Sequence, residues 1–258
     1  MLFRSILSKF QLNKNLLFGI LLFPSWHFFT SFPGKDAIFL FSLGLLCFYF
    51  IKKNFFYLII SIILIYSIRP HVAYMVLISG LLVWLHYFLM GILKSKIIYF
   101  FSIVLIFTIL AQFLKIINPY YFDLFVNFSE KGAMFRNYSI YYSGWYETGN
   151  NIFSNSLKYL FYPLFDFSNL NRFIISFENI LILLFFLRVT FNYDQKIFNQ
   201  MIKKKEMLFS ILFFTIMLVA LSNFTANIGI SARQKWMMMP FLFLLIIPFL
   251  GKFKSIKS

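Results

Sequence analysis

Residues 69–96 read RPHVAYMVLISGLLVWLHYFLMGILKSK, and this stretch decides the fold class. Between Arg69 and Lys94 there is no Asp, Glu, Lys or Arg. As a helix, Val72–Leu93 extends about 33 Å, enough to cross a hydrocarbon core of about 30 Å. Its flanks, Arg69 and His71 on one side and Lys94 and Lys96 on the other, are polar where water should begin. The run has company. Leu16–Phe32, Ala37–Ile51, Phe55–Ile68, Ile97–Ile117, Phe173–Leu187, Met207–Leu221 and Trp236–Phe249 are also apolar, although several are short for a full crossing. The first is interrupted by Pro24, Ser25 and His27 and reads as a re-entrant or broken helix, tolerated where protein or water covers the backbone. No small-x-small cleavage pattern follows Leu16–Phe23.

Composition points the same way. Of the 258 residues, 61% are hydrophobic and 12% charged, whereas a soluble domain is about half apolar and a quarter charged. The expectation is an all-α polytopic transmembrane bundle of about eight spans. It forms a single integral membrane domain over 1–258, with one long extracytoplasmic loop at 118–171. A formal charge of +16 normally raises nucleic acid as a partner. Here the cations sit in short clusters between apolar runs, which is how orientation in a bilayer is encoded. The lipid bilayer is therefore the expected partner, and nucleic acid is not. Cys47 is the single cysteine, so an intrachain disulfide or thiolate cluster is ruled out. The 40 Phe accompany many Ile, Lys, Asn and Tyr, as AT-biased coding produces, and carry no functional weight.

With eight spans and a cytoplasmic N-terminus, the inner side collects Arg4, Lys9, Lys14, Lys52, Lys53, Lys94, Lys96, Arg188, Lys196, Lys203, Lys204, Lys205, Lys252, Lys254 and Lys257. Against these 15 cations stand two acids, Asp194 and Glu206; the remaining set holds 9 basic and 6 acidic residues. The positive-inside rule is met at every inner loop. Both termini are thus expected in the cytoplasm of a bacterial inner-membrane protein.

The residues that look chemical fall on the opposite side. Lys35 and Asp36 follow Pro33-Gly34, Arg69, Pro70 and His71 form the second outer turn, Arg172 opens the sixth span, and Arg233 and Lys235 precede the eighth. Even-numbered spans begin at that face, so their N-termini already favour an anion; further cations there call for something negative. Four of the six Arg (Arg69, Arg136, Arg172 and Arg233) lie outside, where a planar fork suits phosphate or carboxylate. The competing reading is snorkelling at headgroup level. Glu178 lies six residues into its span, about 9 Å along the axis from Arg172. It reads either as a functional carboxylate or as half of a structural ion pair. His71 reads as a general base or an interface residue, and His27 and His86 as packing residues. Asn223 and Asn227, flanking Thr225, suit sugar hydroxyls or a helix end. In the long outer segment, NYSIYYSGWYETGNN (Asn137–Asn151) carries Trp145, Tyr146 and Glu147. That composition fits a glycan surface and equally an interfacial aromatic belt. Ser156–Phe167 reads as an amphipathic helix lying on the membrane. There is no GxxxxGK[ST], GxGxxG or HExxH motif and no His/Cys ligand set. No nucleotide, metal or other cofactor is expected.

Three segments carry a family resemblance: PSWHFFTSFPGKDAIFLF (Pro24–Phe41), RPHVA (Arg69–Ala73) and NIGISARQKWMMMP (Asn227–Pro240). With them the chain resembles bacterial O-antigen and exopolysaccharide polymerase-type membrane proteins and the related lipid-sugar-dependent membrane glycosyltransferases. The resemblance spans most of the chain through short, degenerate motifs. It implies action on a polyprenyl-diphosphate-linked oligosaccharide at the outer leaflet, with arginines around the diphosphate, among other polysaccharide-assembly proteins. Family members are commonly longer. Lys35-Asp36 stands where metal-using members have paired acids, and the long outer loop has no His. The expected reaction is glycosyl transfer, or polymerisation, onto a sugar hydroxyl. Lys35, Arg69, Arg172, Arg233 and Lys235 are the expected diphosphate-binding residues, Asp36, Glu178 and His71 the candidate catalytic groups, and Trp145, Tyr146 and Glu147 the glycan contacts. The alternatives are a non-enzymatic flippase or transporter of lipid-linked glycan, and a subunit of an export complex. The nearly unbroken apolar character of Phe55–Ile68 and Ile97–Leu114 leans toward an enzyme.

Overall fold

The computed structural model describes residues 35–92, 152–224 and 228–250, and among these the secondary structure is helical throughout. The helices are α1 (Lys35–Lys52), α2 (Phe55–Ile68), α3 (Pro70–Ile92), α4 (Ile152–Phe161), α5 (Leu170–Phe191), α6 (Gln195–Ile202), α7 (Lys205–Phe224), α8 (Ile228–Lys235) and α9 (Met239–Leu250). The expected spans Leu16–Phe32 and Ile97–Ile117 lie outside the described residues. So do His27, Thr225, Asn227 and the loop up to Asn151, with Trp145, Tyr146 and Glu147.

Local chemistry sets the turns. Lys53 closes α1 in the left-handed region (φ 56°), its amide donating to the Tyr49 carbonyl at 2.7 Å. Asn54 caps α2 directly afterwards, its side chain accepting from the Phe56 amide at 3.0 Å. At the other end of α2, Arg69 is forced out of helical geometry by the proline that follows. Its amide still donates to Ile65, while its carbonyl accepts from Val72 and Ala73 in the first turn of α3. Pro70 occupies the first helical position, where a missing N–H costs nothing.

Among the described residues, three helices are both long and apolar enough to cross a membrane: α3 over Pro70–Gly91, α5 over Leu170–Phe191 and α7 over Lys205–Ser222. These correspond to the fourth, sixth and seventh expected spans. α2 and α9 are apolar but have 14 and 12 residues, and the 18 residues of α1 include Lys35, Asp36 and Lys52. The amphipathic helix expected over Ser156–Phe167 runs instead over Ile152–Phe161, because Pro163 keeps Tyr162 out of the α region. It packs into the bundle against α5 and α7.

α7 is the centre of the bundle, touching α3, α4, α6 and α9, while α1, α2 and α3 pack in sequence and α5 packs on α9. Aromatic rings join α1, α7 and α9 within a core of mostly aliphatic and Met side chains. Phe213 meets Phe241 edge-on at 4.6 Å, Phe209 stacks on Phe213 at 5.8 Å, and Phe50 reaches Phe209 from α1 at 4.9 Å.

Apolar side chains cover the perimeter as well as the core, unlike a water-soluble bundle. Ser42, Ser61, Ser79, Ser176, Asn179 and Ser210 are buried, while Phe56, Ile63, Leu81, Trp84, Phe177 and Leu184 are exposed. Lipid solvates apolar perimeter groups and offers polar ones nothing, so small and polar residues turn to helix contacts. Ser61 donates across to the Ser42 carbonyl at 2.9 Å, joining α2 to α1, and Ser156 and Ser222 meet at 3.1 Å, joining α4 to α7.

Candidate functional site

Two polar ends bound the bundle. At one, Lys53 pairs with Glu206, the Tyr87 hydroxyl donates to the Lys203 carbonyl at 2.7 Å, and the Lys205 ammonium lies 5.0 Å over the Tyr87 ring. At the other, the N-terminus of α1, the α2–α3 turn and α8 converge on Asp36. Its Oδ1 accepts from Arg69 at 2.8 Å and its Oδ2 accepts from Arg233, so positions 36, 69 and 233 meet at one carboxylate. Arg69 also lies 5.6 Å over the Phe39 ring and its side chain is 18% exposed, whereas that of Arg233 is 51% exposed. The result is a largely enclosed guanidinium beside an accessible one, with Asp36 the carboxylate that meets both among the described residues. Lys35 is exposed one residue before Asp36, and His71 is exposed two residues after Arg69. Five of the residues singled out from sequence therefore share this end.

The others have partners other than Asp36. Arg172 pairs with Asp166 at 2.8 Å in the segment between α4 and α5. The Ser168 hydroxyl donates to the same carboxylate at 2.7 Å and its amide does so at 3.1 Å. The Ser168 hydroxyl and amide, followed by Arg172, hold the Asp166 carboxyl below the ordinary carboxylate range. Asn169 caps α5 by accepting from the Arg172 amide at 2.9 Å.

Lys235 turns inward rather than toward the Asp36 end. It is 4% exposed, and its ammonium donates to the Leu160 carbonyl at 3.0 Å and to Asn179 Oδ1 at 2.9 Å. The Tyr159 ring lies 5.9 Å away. Leu160 belongs to the last turn of α4, where carbonyls lack helical partners and the dipole favours a cation. Asn179 Nδ2 donates to the Pro163 carbonyl at 2.9 Å, tying the same point to the chain that follows α4. Glu178 is 5% exposed and, with Asn179 and Lys235, lines a cavity of about 10 Å³. That is the lower limit for one water molecule. Arg233 and Lys235 are two positions apart and so leave α8 in different directions, one to α1 and the other to α4 and α5.

Sequence reasoning missed Asn179 and Asp166. The first had a signal, since two adjacent polar residues, Glu178 and Asn179, interrupt an apolar run. The second lacked one, because an acid between spans is ordinary. Among the described residues, no three His, Cys, Asp or Glu side chains gather as metal ligands would. No protein-family model, characterised protein or solved structure matches the chain.

Proposed function

We propose that this chain is a multi-pass protein of the bacterial cytoplasmic membrane that transfers a glycosyl group from a polyprenyl-diphosphate-linked glycan at the outer leaflet. The observation that carries the reading is the convergence of Arg69 and Arg233 on Asp36 at one end of an apolar-surfaced bundle. Two guanidinium groups with one shared carboxylate retain a positive charge, at the level where a lipid-borne diphosphate would lie. Their forks match phosphate oxygens. The eight-span topology with cytoplasmic termini belongs to the same reading, as does the resemblance to polysaccharide polymerase-type proteins.

In this mechanism an incoming diphosphate competes with Asp36 for the same guanidinium groups. The sugar carbon's bond to the diphosphate oxygen breaks as the acceptor hydroxyl oxygen bonds to that carbon. Arg69 and Arg233 stabilise the charge developing on the leaving diphosphate in a poorly hydrated site. The acceptor proton passes to Asp36, freed from its arginine contacts; exposed His71 is the alternative base, and Glu178 remains with Lys235 as support for α8.

The test uses purified protein in liposomes with lipid-linked oligosaccharide, following donor binding and product length separately. Arg233→Lys keeps the charge and loses the fork, and a rate loss of about 10²–10³-fold is expected. Asp36→Asn should reduce transfer by about 10²–10⁴-fold with donor binding retained. A wild-type protein that binds donor yet never transfers or lengthens a glycan is a carrier or an export-complex subunit instead.

A further inference from the structure

Between α1, α2, α3 and α7, near the Lys53–Glu206 end, lies an open groove of about 1000 Å³. Its walls include Leu46, Leu58, Val76, Leu81, Trp84 and Phe209, and Lys53, Lys205 and Tyr87 stand among its lining residues. Leu81 and Trp84 are also exposed at the perimeter, so the groove opens sideways. Gly80 lines it as well, and a Cβ at that position would meet no atom within 4 Å.

Shape and charge together specify an occupant. The volume is at the upper end of ordinary ligand cavities, yet its walls offer almost no polar partner along their length. A long hydrocarbon chain fits such walls. The polar groups gather at one extremity, where they are cationic. Lys53 is offset by Glu206, but Lys205 adds a second positive charge over the Tyr87 ring, and Lys203 and Lys204 precede it in the chain. Basic pockets between membrane helices recognise anionic headgroups, with the aromatic rings marking interface depth. We infer that this groove is a binding site for an anionic phospholipid. Its acyl chains lie along α3 and its headgroup phosphate sits at Lys53 and Lys205. The site stands apart from the Asp36 cluster and does not rest on the glycosyl-transfer reading.

The full chain is purified from nanodiscs containing equal phosphatidylcholine and phosphatidylglycerol, and retained lipid is counted by native mass spectrometry. Wild type should hold phosphatidylglycerol in preference to phosphatidylcholine. Lys205→Gln should reduce that preference about fivefold. Gly80→Leu starts from a Cβ that meets no atom within 4 Å and places its side chain in part of the groove, so it should reduce lipid retention while leaving the unfolding temperature unchanged or higher. Equal retention of both lipids would overturn the charge argument. If Gly80→Leu lowers the unfolding temperature and wild type holds no lipid, another part of the chain covers the groove and the inference fails. Dimerisation of wild type that Gly80→Leu abolishes would assign the groove to a second copy and overturn it equally.

Discussion

A lysine ammonium removed from water needs its three N–H groups answered by protein, and Lys235 draws on two different helices to do so. The Leu160 carbonyl and Asn179 Oδ1 account for two donors, and Glu178 lies beside the same cavity. Deleting one member of such a group is costly because its partners stay buried without it. Lys235→Met should therefore lose about 3 kcal/mol in denaturant titration in mixed micelles. Adding Glu178→Leu and Asn179→Leu should restore part of the loss, since the buried polar side chains are then replaced together while the Leu160 and Pro163 carbonyls still lack their donors. Wild-type stability for Lys235→Met alone would mean that the buried cation does not hold α8. Part of this was legible in the sequence. Glu178 stood out as an ionisable group inside an apolar run and Lys235 as an outer-face cation expected at a diphosphate, but that they line one cavity did not follow from position. A cation preceding an apolar run reads as an interface residue while the run is taken as one straight helix. The turn at Trp236–Met238 starts α9 late and lets Lys235 point into protein. No signal in the triple Met announces that turn.

At the scale of elements, both ends of α2 were readable, whereas α5, capped by Asn169, starts three residues before the expected Phe173. Phe55–Ile68 coincides with α2 because Asn54 and Arg69-Pro70 fix its ends. α4 differs because amphipathicity has another meaning beside lipid. Its Asn155 and Ser156 are buried and its Phe153 is exposed, the reverse of a helix resting on water. The α4–α5 connection then depends on Asp166, whose carboxylate accepts from Ser168 and Arg172 and whose amide donates to the Ser176 hydroxyl oxygen at 3.1 Å. With its carboxyl held below the ordinary range in the folded state, Asp166 stabilises this connection at pH values above the unfolded value of about 3.9. The contribution is lost as pH falls through the lower folded value. The protection of amides in the first turn of α5, relative to intrinsic exchange at each pH, should therefore fall on acidification through that window. In Asp166→Asn the protection should already be reduced at neutral pH and change little with acid. A wild-type protection that ignores pH would show that Arg172 and Asn169 hold the turn without the carboxylate.

For the whole molecule, the arrangement of charge is more informative than any span count. The Asp36 end carries cations beside acids: Arg69 and Arg233 share Asp36, and Arg172 meets Asp166. The Lys53 end carries Lys52, Lys53, Lys196, Lys203, Lys204 and Lys205 against Asp194 and Glu206, with Arg188 in the last turn of α5. α1, α2 and α3 alternate in direction between these ends, since Asp36 meets Arg69 at one and Lys53 meets the start of α7 at the other. Charge counting along the sequence leads to the same partition, because orientation in a bilayer is decided by which loops hold uncompensated Lys and Arg. The side each end faces can be measured directly. In a Cys47→Ala background, Lys35→Cys should react in intact cells with a membrane-impermeant thiol reagent, once any outer membrane is permeabilised. Lys53→Cys and Lys204→Cys should react only after the inner membrane is opened. Cys47 is buried, so the substitution removes background without exposing a new surface. Labelling of Lys204→Cys from outside would invert the molecule and place the Asp36 cluster in the cytoplasm. A lipid-linked donor at the outer leaflet would then be out of reach of Arg69 and Arg233. Labelling of both Lys53→Cys and Lys35→Cys from outside would mean that α1 does not cross, and the convergence of positions 36, 69 and 233 would need a different membrane depth.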